Sequence, residues 1–190
     1  MRIIAGSLKR RSIKAPSGTD TRPTSDRLRE SLFSILGADR VQGARVLDLF
    51  AGTGALGMEA LSRGALSAVF VEQHPQALKV LYQNIENLGL EDRSRIIKWN
   101  IRKDLRCLRN EEPFDLIFMD PPYGRGLTAI ALGHLKKGGL LTPASCIICE
   151  HTAEDPLPPE EEGFVREDLR TYGKTLLARL SFQNSKEEKH

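Results

Sequence analysis

The chain has 190 residues, enough for one full hydrophobic core and too few for two. Its 28 basic and 25 acidic residues leave a net +3, too near balance to name a partner, and no apolar run approaches the roughly 18 residues of a membrane span. The start, Met1 to Gly6, runs into Lys9-Arg10-Arg11 without a secretory signal, and three cysteines make an odd set for a disulfide framework, so a soluble cytoplasmic protein is expected.

Charge is unevenly spread. Residues 1 to 30 hold eight basic side chains against three acidic ones, a net +5 that leaves −2 for the rest. Such a skew is the footprint of a surface that meets phosphate, and Arg2, Lys9, Arg10, Arg11, Arg22 and Arg27 are the candidate contacts. Turn formers at Pro16-Ser17-Gly18 make residues 1–24 an arm or small hairpin ahead of the core.

Leu28, Leu32, Ile35 and Leu36 then recur at helical spacing behind capping residues, predicting a helix over 26–36. From there apolar runs alternate with helical patterns. Strands are expected at 45–50, 68–72, 95–99, 114–119 and 145–150, with helices at 55–63, 75–88, near 101–108 and near 127–136. That rhythm predicts an α/β fold with a mostly parallel sheet and helices on both faces. The acidic, proline-bearing stretch 154–162 reads as a surface loop. Segments 165–170 and 175–182, flanking Tyr172-Gly173, read as an antiparallel hairpin, which completes the Rossmann-like, seven-stranded class I methyltransferase variant of the fold. The main domain is thus 25–184, and the polar tail 185–190 is expected to be disordered. Cys146 and Cys149 form a C-x-x-C, but within a strand residues three apart face opposite ways, so no metal is expected there.

The strand Arg45 to Phe50 runs into Ala51-Gly52-Thr53-Gly54-Ala55-Leu56-Gly57 and a helix, a loop through which backbone can approach a ligand closely. The glycines alone also match a dinucleotide fingerprint. Asp48, just before them, would repel a pyrophosphate yet suits an ammonium group, which favours S-adenosyl-L-methionine (SAM), with S-adenosyl-L-homocysteine as product, over NAD. Glu72, 20 residues after Gly52, ends the second strand where an acid accepts from ribose hydroxyls. Asn100 can offer its side-chain oxygen to adenine, with Ile101 or Trp99 along the ring. The expected cofactor contacts are Asp48, Phe50, Ala51, Gly52, Thr53, Gly54, Glu72, Asn100 and Ile101.

The most specific feature is the buried run Phe114 to Met119 emptying into Asp120-Pro121-Pro122-Tyr123. Ligands of open α/β sheets bind at the carboxyl ends of strands, so these four residues are the candidate catalytic set. An exocyclic amine on a base is a poor nucleophile because its lone pair is delocalised into the ring. Two acceptors on its hydrogens, the Asp120 carboxylate and the Pro121 carbonyl, return electron density to nitrogen and aim it. Asp120 and Pro121 each precede a proline and are biased to extended conformations, and Tyr123 can stack on a flipped base.

With these residues in place the chain resembles the RsmD family of bacterial 16S rRNA guanine-N2 methyltransferases. The likeness rests on Arg2 to Gly6, Thr21 to Phe33, Leu47 to Gly64 and Phe114 to Gly124, and the second of these separates it from adenine-N6 enzymes that share Asp-Pro-Pro-Tyr. The resemblance implies that Asp48 and the glycine loop hold SAM, that Glu72 binds its ribose and that Asp120, Pro121 and Tyr123 receive a guanine. It also implies 16S rRNA in the small ribosomal subunit, or an assembly intermediate of it, as the partner. A monomer is expected. Two positions depart from the pattern: Asn100 stands where an aspartate is common, and Arg10 where a glycine is expected. The competing readings are an adenine-N6 nucleic-acid methyltransferase and a non-catalytic RNA-binding or assembly module on the same fold.

Overall fold

Alternating apolar residues build the sheet and decide which way each strand faces. The computed structural model describes residues 1–15, 26–155, 157 and 163–183. Strands β1 (Arg45–Leu49), β2 (Ser67–Glu72), β3 (Ser94–Lys98), β4 (Leu116–Met119), β5 (Cys146–His151), β6 (Phe164–Tyr172) and β7 (Thr175–Phe182) form one seven-stranded sheet in the order β3-β2-β1-β4-β5-β7-β6. The first five are parallel and β7 pairs antiparallel with β5 and β6. Helices α1 (Asp26–Leu36), α2 (Ala55–Ser62), α3 (Pro75–Leu88) and α4 (Leu127–Lys137) cover it.

The two faces are separate cores. Val46, Phe70, Leu116, Phe118, Cys146 and Ile148 pack with α1, α2 and α3. Leu47, Leu49, Val71, Ile117, Met119, Ile147 and Cys149 pack on the other face with α4 and the crossover between β3 and β4. The strand order reverses between β1 and β4, the switch point where such sheets open a ligand crevice. Cys146 and Cys149 lie in opposite cores, as strand alternation requires, and both are free thiols.

The helix expected near 101–108 is not formed. Turns occupy 101–103, and only Arg106–Leu108 coil, as a 3₁₀ turn. Asn100 Oδ1 accepts the Arg102 N–H at 3.0 Å, Asp104 Oδ1 accepts the Arg106 N–H at 3.0 Å, and the Asp104 carbonyl accepts the Trp99 indole N–H at 2.9 Å. These side-chain bonds take the backbone groups that an α-helix would pair. Ile101, Leu105 and Leu108 still bury together on the α4 face, so the apolar spacing was real and its backbone was not helical. Other differences are at element ends. β1 stops one residue early because Phe50 is left-handed (φ 61), and Phe114 gives its N–H to the Leu140 carbonyl ahead of β4. Asp155 lies in the stretch expected to be a surface loop, yet it is buried.

The basic arm is docked. A single bridge, Arg2 to Ser12, closes residues 1–13 into a loop whose Ile3 and Ile13 enter the α1–α3 core. Glu59 of α2, fully buried, accepts the N–H groups of Ile4 (2.7 Å) and Ala5 (3.0 Å) and the Arg63 guanidinium (2.7 Å). At Gly6 the chain is left-handed (φ +82) and so close to α2 that a Cβ would lie 1.8 Å from the Ser62 carbonyl oxygen. Arg10 is also left-handed (φ 71), which accounts for the glycine expected there. Arg22 lies outside the described residues, as do the side chain of Arg27 and the tail at 184–190.

Candidate active site

In the five parallel strands the even-numbered residues face α2 and α3, and this rule brings three carboxylates to one side of the switch point. Asp48 pairs in register with Phe70 and Phe118, both of that face. Glu72 closes β2, and Asp120 follows β4 by one residue. Asp48 Oδ2 accepts the Gly57 N–H at 3.0 Å in the first turn of α2. Gly57 must be glycine for that contact: a Cβ would sit 2.4 Å from Phe70 Cε1 and 3.1 Å from the Asp48 carboxylate. Gly54, left-handed at φ +79, would put a Cβ 2.3 Å from Leu81 Cδ1.

Glu72 holds the glycine loop. Its Oε2 accepts the Gly52 N–H at 2.8 Å, while Oε1 accepts the N–H groups of Gln73 (2.7 Å) and His74 (2.8 Å). A carboxylate has about four acceptor positions, so one remains, on Oε2 beside the loop. Burial holds the Asp48 carboxyl well above the usual carboxylate range, against the lowering effect of the Gly57 N–H, and the charges of Asp120 and Glu72 push it further up. A buried carboxylate repelled by two others suits a cationic ligand. SAM, with its sulfonium and ammonium groups, fits that donor set, whereas a pyrophosphate does not.

Asn100 and Ile101 follow β3. Asn100 is half-buried with its Oδ1 on the Arg102 N–H, and the Ile101 side chain is in the core, its carbonyl beside His134 Nδ1 at 3.1 Å. The Ile101 side chain is therefore part of the α4-side core. The Phe50 side chain packs against the α4-side core.

On the other side of the switch point, Pro121 is buried while Pro122 and Tyr123 are exposed, Tyr123 by 45%. The Tyr123 hydroxyl donates to the Glu150 carboxylate at the end of β5 and lies 3.5 Å from Thr175 Oγ1. Burial, then the bond to Glu150, pushes the Tyr123 phenol well up, and burial raises the Glu150 carboxyl against the lowering effect of that same bond. The ring is thus pinned at its far end with its face open.

A model described as "Conserved hypothetical protein 95" matches residues 1–181. Ribosomal RNA small subunit methyltransferase D of Escherichia coli K12 is 36% identical over 158 residues, spanning 83% of this chain and 78% of that protein. The chain belongs to the RsmD family. YlbH of Bacillus subtilis is 37% identical over 179 residues, 94% of this chain and 97% of YlbH. The solved structure of yhhF from Escherichia coli superposes with a TM-score of 0.83 at 31% identity, covering 96% and 98% of the two chains. The Rossmann-like methyltransferase architecture of the chain is therefore that of its relatives.

Several residues that build this RsmD-family site escaped the sequence reading. Asn84 of α3, buried, accepts the Lys14 N–H at 2.8 Å and donates to the carbonyls of Lys14 and Thr53, both at 3.1 Å, tying the arm to the glycine loop. Glu150 anchors Tyr123. Asp155 accepts the N–H groups of Gly124 and Gly126, the latter at 2.8 Å, and these bonds hold its carboxyl below the usual range. Of these, only Glu150, a charged residue ending an apolar strand, left a signal in the sequence. Among the expected RNA contacts, Arg2 spends its carbonyl on buried Arg29, and the Arg11 guanidinium donates to the Asn87 carbonyl at 2.5 Å, while Lys9 and Arg10 are exposed.

Proposed function

We propose that the protein is a SAM-dependent rRNA methyltransferase that transfers a methyl group to the exocyclic N2 amine of a guanine in 16S rRNA of the small ribosomal subunit. The observation that carries the reading is the meeting of two halves at one switch point: the Asp48–Glu72 carboxylate pair with its glycine loop, and the Asp120-to-Tyr123 wall. Likeness over most of the chain to a protein named for small-subunit rRNA methylation supplies the substrate class.

SAM, when bound, supplies an electrophilic methyl group. Asp48 neutralises ligand positive charge at the base of the crevice, and the free acceptor position of Glu72 takes a ribose hydroxyl. Asp120 and the Pro121 carbonyl accept the two amine hydrogens, orienting the nitrogen lone pair toward the crevice and favouring the cationic amine as it forms. That amine then sheds one proton to water. Tyr123, held by Glu150, stacks on the base, an interaction of about 1–3 kcal/mol.

Methyl transfer from labelled SAM to small ribosomal subunits lacking the modification, to their naked RNA and to DNA, followed by nucleoside analysis, tests the reading. Label in N2-methylguanosine is expected. Label in N6-methyladenosine or in DNA would replace guanine with adenine at the same wall, and no label in any substrate would favour the assembly module.

A further inference from the structure

The arm is not the only cationic surface beside the crevice. On the opposite face of the sheet, the loop after β3 carries Arg102 and Lys103 and the loop after β4 carries Arg125, all exposed. Arg102 reaches across and donates to the Arg125 carbonyl at 3.2 Å, so loops from two non-adjacent strands share one surface. Both loops are braced. Asn100 caps the first at the Arg102 N–H, and Asp155 gathers the N–H groups of Gly124, Arg125 and Gly126 in the second, whose two glycines are left-handed (φ 70 and 60).

The next cation along the β3–β4 crossover, Arg106, is paired with Asp104 at 2.9 Å. Among the described residues no carboxylate pairs with Arg102, Lys103 or Arg125. Arg102 keeps most of its five donors after the bond to Arg125. Three unpaired charges on a braced rim suit a polyanion, and Arg125 is two residues from Tyr123, at most about 7 Å of chain.

We infer that Arg102, Lys103 and Arg125 form a second phosphate-binding surface that grips the RNA backbone beside the target nucleotide, from the side of the crevice opposite the arm. The inference rests on the proposed RNA substrate. The arm on the α2–α3 face and this rim on the α4 face then flank the crevice, and a strand held at both places delivers its base between them.

The test is the R102A/K103A/R125A variant, with in vitro transcribed 16S rRNA bound at 50 to 200 mM salt and SAM binding measured by calorimetry. Each lost phosphate contact on single-stranded RNA removes about 0.7 from the slope of log affinity against log salt, so the slope should shrink by about 2 and affinity at 0.1 M salt should fall about 10- to 100-fold. SAM affinity should stay within about twofold, and a variant with lysine at 102 and 125 should recover most of the loss, because charge rather than fork geometry is at stake. An unchanged salt slope, or equal losses of SAM and RNA affinity, would overturn the surface. A wild-type protein that methylates no ribosomal RNA but loses slope in the triple variant would overturn the activity and leave the surface standing.

Discussion

Glu59→Gln tests the docking of the basic arm with almost no change of shape. Glu59 is 0% exposed and receives three donors, the Ile4 N–H on Oε2 and the Ala5 N–H and Arg63 Nε on Oε1. Glutamine has one acceptor oxygen and one amino group. With the oxygen in the Oε1 place, its amino group faces the Ile4 N–H; turned over, it faces the Ala5 N–H and Arg63. One buried donor is therefore orphaned in the better orientation and two in the worse, at about 1–3 kcal/mol each. The remaining bond to Arg63 also loses its charge. The total is about 2–4 kcal/mol, or roughly 4–16 °C in Tm for a chain of this size. Arg63 also stacks on Phe33 of α1, 4.5 Å from the ring centroid, so the loss reaches α1 as well. Urea unfolding gives the free energy, and tryptic cleavage at Lys9, Arg10 and Arg11 reports release of the arm. A loss under about 0.5 kcal/mol with no faster cleavage would refute the account of the docking.

Three further perturbations have signed outcomes. Asp48→Asn should weaken SAM binding at least tenfold while stabilising the ligand-free protein at pH 7 by about 0.5–2 kcal/mol, the usual gain when a strained functional site is relieved. Because the folded Asp48 carboxyl lies above its unfolded value, the wild type loses stability as pH rises through that window and the variant does not, so parallel pH–stability curves would contradict the site electrostatics. Arg10→Gly should relieve a left-handed residue and add up to about 1 kcal/mol in thermal unfolding, while lowering RNA affinity; a destabilised variant would count against the strain. In Tyr123→Phe the stacking face survives but Glu150 loses its donor and titrates still higher. Its stability deficit, about 1–3 kcal/mol at pH 8, should shrink toward pH 4.5 as the buried carboxyl is protonated, and a deficit independent of pH would exclude the Glu150 bond as its source.

The sheet was legible because buried strands announce themselves by continuous apolar runs, and strand parity separated Cys146 and Cys149 into opposite cores. That Asp120 lies one residue past a strand paired with the strand feeding the glycine loop is a matter of topology alone. What escaped was contact between distant residues. The helical spacing of Ile101, Leu105 and Leu108 gave no warning that Asn100 and Asp104 would capture the backbone. Nor could spacing reveal that Glu59, within an ordinary helical pattern, would face backbone N–H groups 54 and 55 residues away. Arg10 is the converse case: it stands out of pattern where a glycine is expected, and its backbone is left-handed there (φ 71).

The central claim is that one crevice binds SAM through Asp48 and Glu72 and separately presents a base amine to Asp120. Asp120→Ala, assayed for SAM affinity by calorimetry and for single-turnover methyl transfer to small-subunit RNA, divides those roles most directly. SAM affinity within about fivefold of wild type with transfer slowed at least about 100-fold, the scale of losing one preorganised electrostatic contact, is the expected result. Transfer at the wild-type rate would contradict the claim.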